Sequence, residues 1–107
     1  MLEQSRLPVV SSMRHPAFGK LVRMQFANDF LLRLTQPEAS SLSFALVAVR
    51  DRISPEREIY MSPIASDAAF VGSVLESGMR ISTPHGELEL DWSDVSALAA
   101  SLAAAID

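Results

Sequence analysis

The sequence contains no cysteine, which excludes disulfide frameworks, thiolate zinc sites, iron–sulfur ligation and cysteine nucleophiles. Its four glycines stand at 19, 72, 78 and 86, too scattered for a loop that cradles phosphate or a dinucleotide. Only two histidines occur, His15 and His85, each beside a proline and separated by most of the chain. A zinc site needs convergent ligands, usually two of them at short helical spacing, and no such pair exists. No serine stands in a G-x-S-x-G or S-x-x-K context, so a hydrolase nucleophile has no local support. The longest uninterrupted apolar run, Phe44–Val49, falls far short of the ~20 residues that span a bilayer. The amino terminus carries an acid at Glu3 and no apolar stretch of signal-peptide length. Aromatic residues make up 7%, which does not suggest a stacking platform for bases.

What is present is one domain's worth of chain: 107 residues and 11.6 kDa, enough to bury about two thirds of its unfolded surface. Nine Lys+Arg against 13 Asp+Glu give a formal charge of −4 and a pI near 5.0, which argues against a general nucleic-acid binder and a basic membrane-surface peptide. The composition is 49% hydrophobic and 21% charged, more apolar than a small, surface-rich domain requires. The excess lies in Ala, Val, Leu and Met, and it predicts that part of the surface meets a partner. A two-fold homodimer is the commonest way to close such a surface.

Along the chain, residues 1–17 hold Pro8, Pro16 and a Ser11-Ser12 pair with little periodicity, and read as an extended N-terminal arm with a short strand at Leu7–Val10. Residues 18–107 read as a single α+β domain. Val22-Arg23-Met24-Gln25-Phe26 and Phe30-Leu31-Leu32-Arg33-Leu34 alternate with period two around Asn28-Asp29, which predicts a hairpin. A competing helix over 17–34 places Met24, Ala27, Leu31 and Leu34 on one stripe. Thr35-Gln36-Pro37-Glu38 has capping-box spacing, with Ala39, Leu42, Leu46, Val49 and Ile53 striped behind it. A helix there is apolar on every face, however, so Leu42–Arg50 is read as a strand buried on both sides. A charged loop around Pro55 and a strand at Glu58–Met61 follow. Ser66 is read as the cap of a helix over Asp67–Ser77, ended by Gly78. Its apolar positions are Ala68, Phe70, Val71, Val74 and Leu75. Met79–Thr83 and Glu87–Trp92 flank Pro84-His85-Gly86, the best hairpin signal in the chain. Leu88, Leu90 and Trp92 are expected to face the core, Trp92 as a buried anchor. Ser93 is read as the cap of a terminal helix striped by Val95, Leu98, Ala99, Leu102 and Ile106. The sum is an α+β fold: an antiparallel sheet, meander plus C-terminal hairpin, with two helices packed on one face.

The residues that bear chemistry are few. His85 is expected as an exposed turn residue, and neither histidine is assigned a metal or a proton-transfer role. Glu87, Glu89 and Asp91 line one strand face at period two, the usual pattern of a solvated side rather than of a carboxylate pair at work. Arg50, Arg52 and Arg57 cluster with Asp51, Glu56 and Glu58 around Pro55. Guanidinium forks suit carboxylate or phosphate, but the alternating signs predict that a local acid neutralises each one. No residue is therefore assigned as catalytic, cofactor-binding or metal-binding.

Three classes of function remain. The first is a small, acidic, cytoplasmic, non-enzymatic protein-interaction module acting as a homodimer, with no membrane or nucleic-acid partner. In size, charge and element order, though in no motif, the chain resembles the type III secretion chaperones. That resemblance implies an adaptor for an effector protein. The third is a small enzyme with its site at a subunit interface. A deep pocket lined by Arg80, His85 or Tyr60 would favour the enzyme, and a flat apolar patch the interaction protein.

Overall fold

The computed structural model describes residues 7–106. Its elements run β1 (Val9–His15), β2 (Gly19–Gln25), β3 (Leu31–Thr35), α1 (Gln36–Arg50), β4 (Glu58–Met61), β5 (Phe70–Val74), β6 (Gly78–Thr83), β7 (Gly86–Asp91) and α2 (Trp92–Ile106). The strands form two antiparallel sheets, β1-β2-β3 and β4-β5-β6-β7, each a meander in chain order. The α+β class is thus as the pattern predicts, with the strands divided between two sheets instead of joined in one.

Each meander runs directly into a helix, and the two junctions share one chemistry. At the first, Thr35 Oγ1 accepts from Glu38 N at 3.3 Å while Glu38 Oε1 accepts from Thr35 N at 2.8 Å. At the second, Asp91 Oδ1 accepts from Asp94 N at 2.8 Å and Asp94 Oδ2 from Asp91 N at 3.4 Å. Both satisfy amide groups that a helix start leaves without partners. The cap of α2 is therefore Asp91; Ser93, expected in that role, lies exposed in the first turn.

The reading of 42–50 as a strand is corrected: these residues belong to α1. The capping box and the stripe of Ala39, Leu42, Leu46 and Val49, all buried, set the helix. Its all-round apolarity has a tertiary explanation, because α1 packs against α2 as well as β2 and β3. Ser43 Oγ donates to Ala99 O at 2.9 Å across the helix pair. The end of α2 is tied back by Gln36 Nε2, which donates to Ile106 O at 3.0 Å.

The helix expected over 67–77 is also absent. Phe70–Val74 is β5, hydrogen-bonded to β4 on one side and β6 on the other. Ser66 caps nothing; its hydroxyl accepts from Arg33 N at 2.7 Å and donates to Arg33 O at 3.1 Å, covering the outer edge of β3. Gly78 begins β6 instead of ending a helix. Its φ of +155° and its backbone contact with β7, where a Cβ would collide with the Leu90 carbonyl, both require glycine.

Other expectations match. The hairpin reading holds over the helix for 17–34, with Asp29 at φ +67° in the turn. Pro84-His85 forms the tip between the paired residues Thr83 and Gly86. The stretch read as an extended arm contributes β1, which pairs with β2 along its whole length; residues 1–6 of that arm lie outside the described residues. The core is one cluster in which Val22, Met24, Leu32 and Leu34 of the first sheet and Phe70, Met79, Ile81 and Leu90 of the second meet the buried stripes of both helices. Among the described residues, no helix is long and apolar enough to cross a membrane.

Candidate interaction face and ligand cleft

Two surface regions stand out, one apolar and one mixed. The first is the outer side of the helix pair. From Ala39 to Val49 in α1 and from Val95 to Ile106 in α2 there is no charged residue, although a water-facing helix ordinarily carries its charges on the side away from the core. Ser40, Ser43, Phe44, Val47, Ala103 and Ile106 line a shallow groove of about 230 Å³ between the two helices. The ring of Phe44 stands beside it, 74% exposed.

The second region is a cleft of about 550 Å³ where the end of α1, the 51–57 loop, the β5–β6 turn and Trp92 come together. Its geometry starts with how α1 ends. Ile53 N and Ser54 N both donate to Ala48 O, at 2.9 and 3.2 Å, and Arg52 adopts φ +58°. That left-handed residue after the cap reverses the chain where glycine more commonly stands. Arg57 is fixed by its carbonyl, which accepts from Val74 N at 2.8 Å. Val49, Val74, Leu75 and Trp92 supply apolar walls; Arg52, Arg57, Glu56 and Glu76 supply the charged ones.

Here the expectation of local neutralisation is corrected. Arg50 alone of the three arginines has an acid: its Nε and Nη2 fork onto Asp51 at 2.9 and 3.0 Å. The hydrogen bond from Arg50 holds the Asp51 carboxyl below its ordinary range. Arg52 and Arg57 enter no ion pair among the described residues. Asp51, the acid between Arg50 and Arg52 in sequence, is taken by Arg50, whose Nη1 also donates to Ser96 Oγ of α2 at 3.2 Å.

Trp92 is half-buried, not enclosed: it packs against the core cluster on one side and lines the cleft on the other. Its Nε1 donates to Glu76 O at 2.9 Å. The histidines lie in separate turns. His15 Nδ1 accepts from Ala17 N at 3.0 Å and Phe18 N at 3.3 Å, whereas His85 Nδ1 donates to Asn28 O at 2.7 Å. A carbonyl can only accept, so Nδ1 carries a proton in His85 and a lone pair in His15. Glu87 and Glu89 project to solvent around Arg80, whose guanidinium lies 3.2 Å from Glu89 and 3.9 Å from Glu87. Among the described residues, no three His, Asp or Glu side chains come together as a metal-binding group. Arg80, His85 and Tyr60 line neither concavity.

Neither region was assigned from sequence. The signal for the helix face is present in the uncharged run from Ala39 to Val49, most of which falls in the stretch Leu42–Arg50 that the pattern reads as a buried strand. Comparison with known proteins finds no matching family model, curated protein or solved structure. The class that the chain itself defines is an α+β domain of two capped meander–helix units with an uncharged helical face.

Proposed function

We propose that the protein is a non-enzymatic protein-interaction module that acts as a homodimer through the outer face of α1 and α2. The observation that carries this reading is Phe44, 74% exposed within the stretches of the helix pair, Ala39–Val49 and Val95–Ile106, that carry no charged residue. Two copies each bearing a formal −4 repel at most approaches. An uncharged face is where that repulsion is weakest. Projecting ring and groove lie on the same face, so a two-fold axis lets each Phe44 meet the other copy's groove, as an isologous contact requires.

Helices of this length span about 22 Å and pack about 8–10 Å apart, so the face is smaller than the roughly 800 Å² per partner of a standard interface. The dimer is accordingly weak, with dissociation in the micromolar range or above. Cytoplasmic residence belongs to the same proposal; a chain without cysteine needs no oxidising compartment.

Sedimentation velocity from low micromolar to millimolar concentration tests it. The expected result is a shift from the 11.6 kDa monomer toward twice that mass, abolished by Phe44→Glu with an unchanged circular dichroism spectrum. A monomer throughout, or a dimer indifferent to Phe44→Glu, would overturn the reading. A monomer that an effector protein captures through Phe44 would favour the adaptor instead.

A further inference from the structure

We propose that the cleft beneath the 51–57 loop binds a small amphipathic carboxylate, its head held by Arg52 and Arg57 and its apolar body against Trp92 and Val74. The cleft's volume of about 550 Å³ lies within the range of small-ligand sites. Two arginines border it without an acid in contact, while the neighbouring Arg50 is committed to Asp51. Guanidinium offers the planar donor pair that a carboxylate accepts, and such charge-assisted bonds are the stronger kind.

The apolar walls select the rest of the ligand. Trp92 has already spent its only donor on Glu76 O, so the indole offers the cleft only its ring surface. Glu56 and Glu76 also line the space. Their carboxylates disfavour a multiply charged anion such as a polyphosphate and leave room for one negative head. The hydrogen bonds of Ile53 and Ser54 to Ala48 hold the loop in place, so less ordering is needed when a ligand enters. Phe44 and its groove take no part.

Trp92 is the only tryptophan, so its fluorescence reads occupancy directly. The full chain is titrated with decanoate below its micellar concentration, with decanol as the uncharged counterpart and with inorganic phosphate. The expected result is a saturable change with decanoate, at least tenfold weaker with decanol, and none with phosphate. Arg52→Gln combined with Arg57→Gln, both on the exposed loop, weakens decanoate at least tenfold with an unchanged circular dichroism spectrum. Equal binding of decanol removes the carboxylate from the proposal. Equal effect of phosphate makes the cleft a bare anion site. Absence of a saturable change, or indifference to the double substitution, overturns the assignment outright.

Discussion

Arg23 and Arg33 stand directly opposite each other across β2 and β3. Their side of the sheet is the one away from the helices, since Val22 and Met24, the alternate residues of β2, are fully buried in the core cluster. Strands β1, β2 and β3 contain Arg14, Lys20, Arg23 and Arg33 and no acid, whereas β4, β5, β6 and β7 contain Glu58, Glu87, Glu89 and Asp91 against the single Arg80. The molecule's modest net charge therefore conceals two sheets of opposite sign.

Like charges directly opposed on a sheet destabilise it. Arg33→Glu turns the repulsion into a cross-strand ion pair and is expected to raise stability by about 0.2–1 kcal/mol in urea unfolding. A loss of stability would mean that the two guanidiniums are not neighbours.

The strand-to-helix junctions depend on Thr35 and Asp91. Thr35→Ala and Asp91→Ala should each cost about 0.5–2 kcal/mol, with Ser93→Ala nearly neutral. If Ser93→Ala proved as costly as Asp91→Ala, α2 would start two residues later than described.

Two glycines at hairpin ends separate strain from collision. Gly86 has φ +121° and open space around an added Cβ; Gly78 has φ +155° and the Leu90 backbone against it. Gly86→Ala is expected to cost about 1–3 kcal/mol from backbone strain alone. Gly78→Ala should cost more, because β6 and β7 must also separate. Equal midpoint shifts in thermal melts would contradict that order.

Aromatic residues test which surfaces are inside. Phe70 is 0% exposed, so Phe70→Ala should cost about 3–5 kcal/mol. Phe44→Ala should stay within about 0.5 kcal/mol for the monomer. Trp92→Phe loses the bond to Glu76 and should cost about 0.5–1.5 kcal/mol. Native Trp92 emission should lie between fully buried and fully exposed wavelengths.

Where a short stretch of residues carried its own turn or period, reading it was enough. Asn28-Asp29 and Pro84-His85-Gly86 bring the chain back on itself by turn chemistry, and alternation in β2, β3 and β7 marks which side chains face inward. The stripe of α2 was equally plain. These signals are local, so they survive without knowledge of the rest of the chain.

Residues 36–50 and 66–77 needed their neighbours. The first is apolar all round, a pattern shared by a doubly buried strand and a helix with a helix beside it, and only the packing of α2 against α1 separates the two. The second carries helix punctuation at Ser66 and Gly78, yet Ser66 is drawn to the Arg33 backbone and Gly78 to Leu90, partners 33 residues before and 12 residues after them. Slots on both sides of β5 for hydrogen bonds to β4 and β6 then outweigh the intrinsic preferences of five residues. The cleft was hidden for the same reason. Trp92 is distant in sequence from Arg52 and Arg57, and they meet because the end of α1, the end of β5 and the start of α2 come together around one cleft.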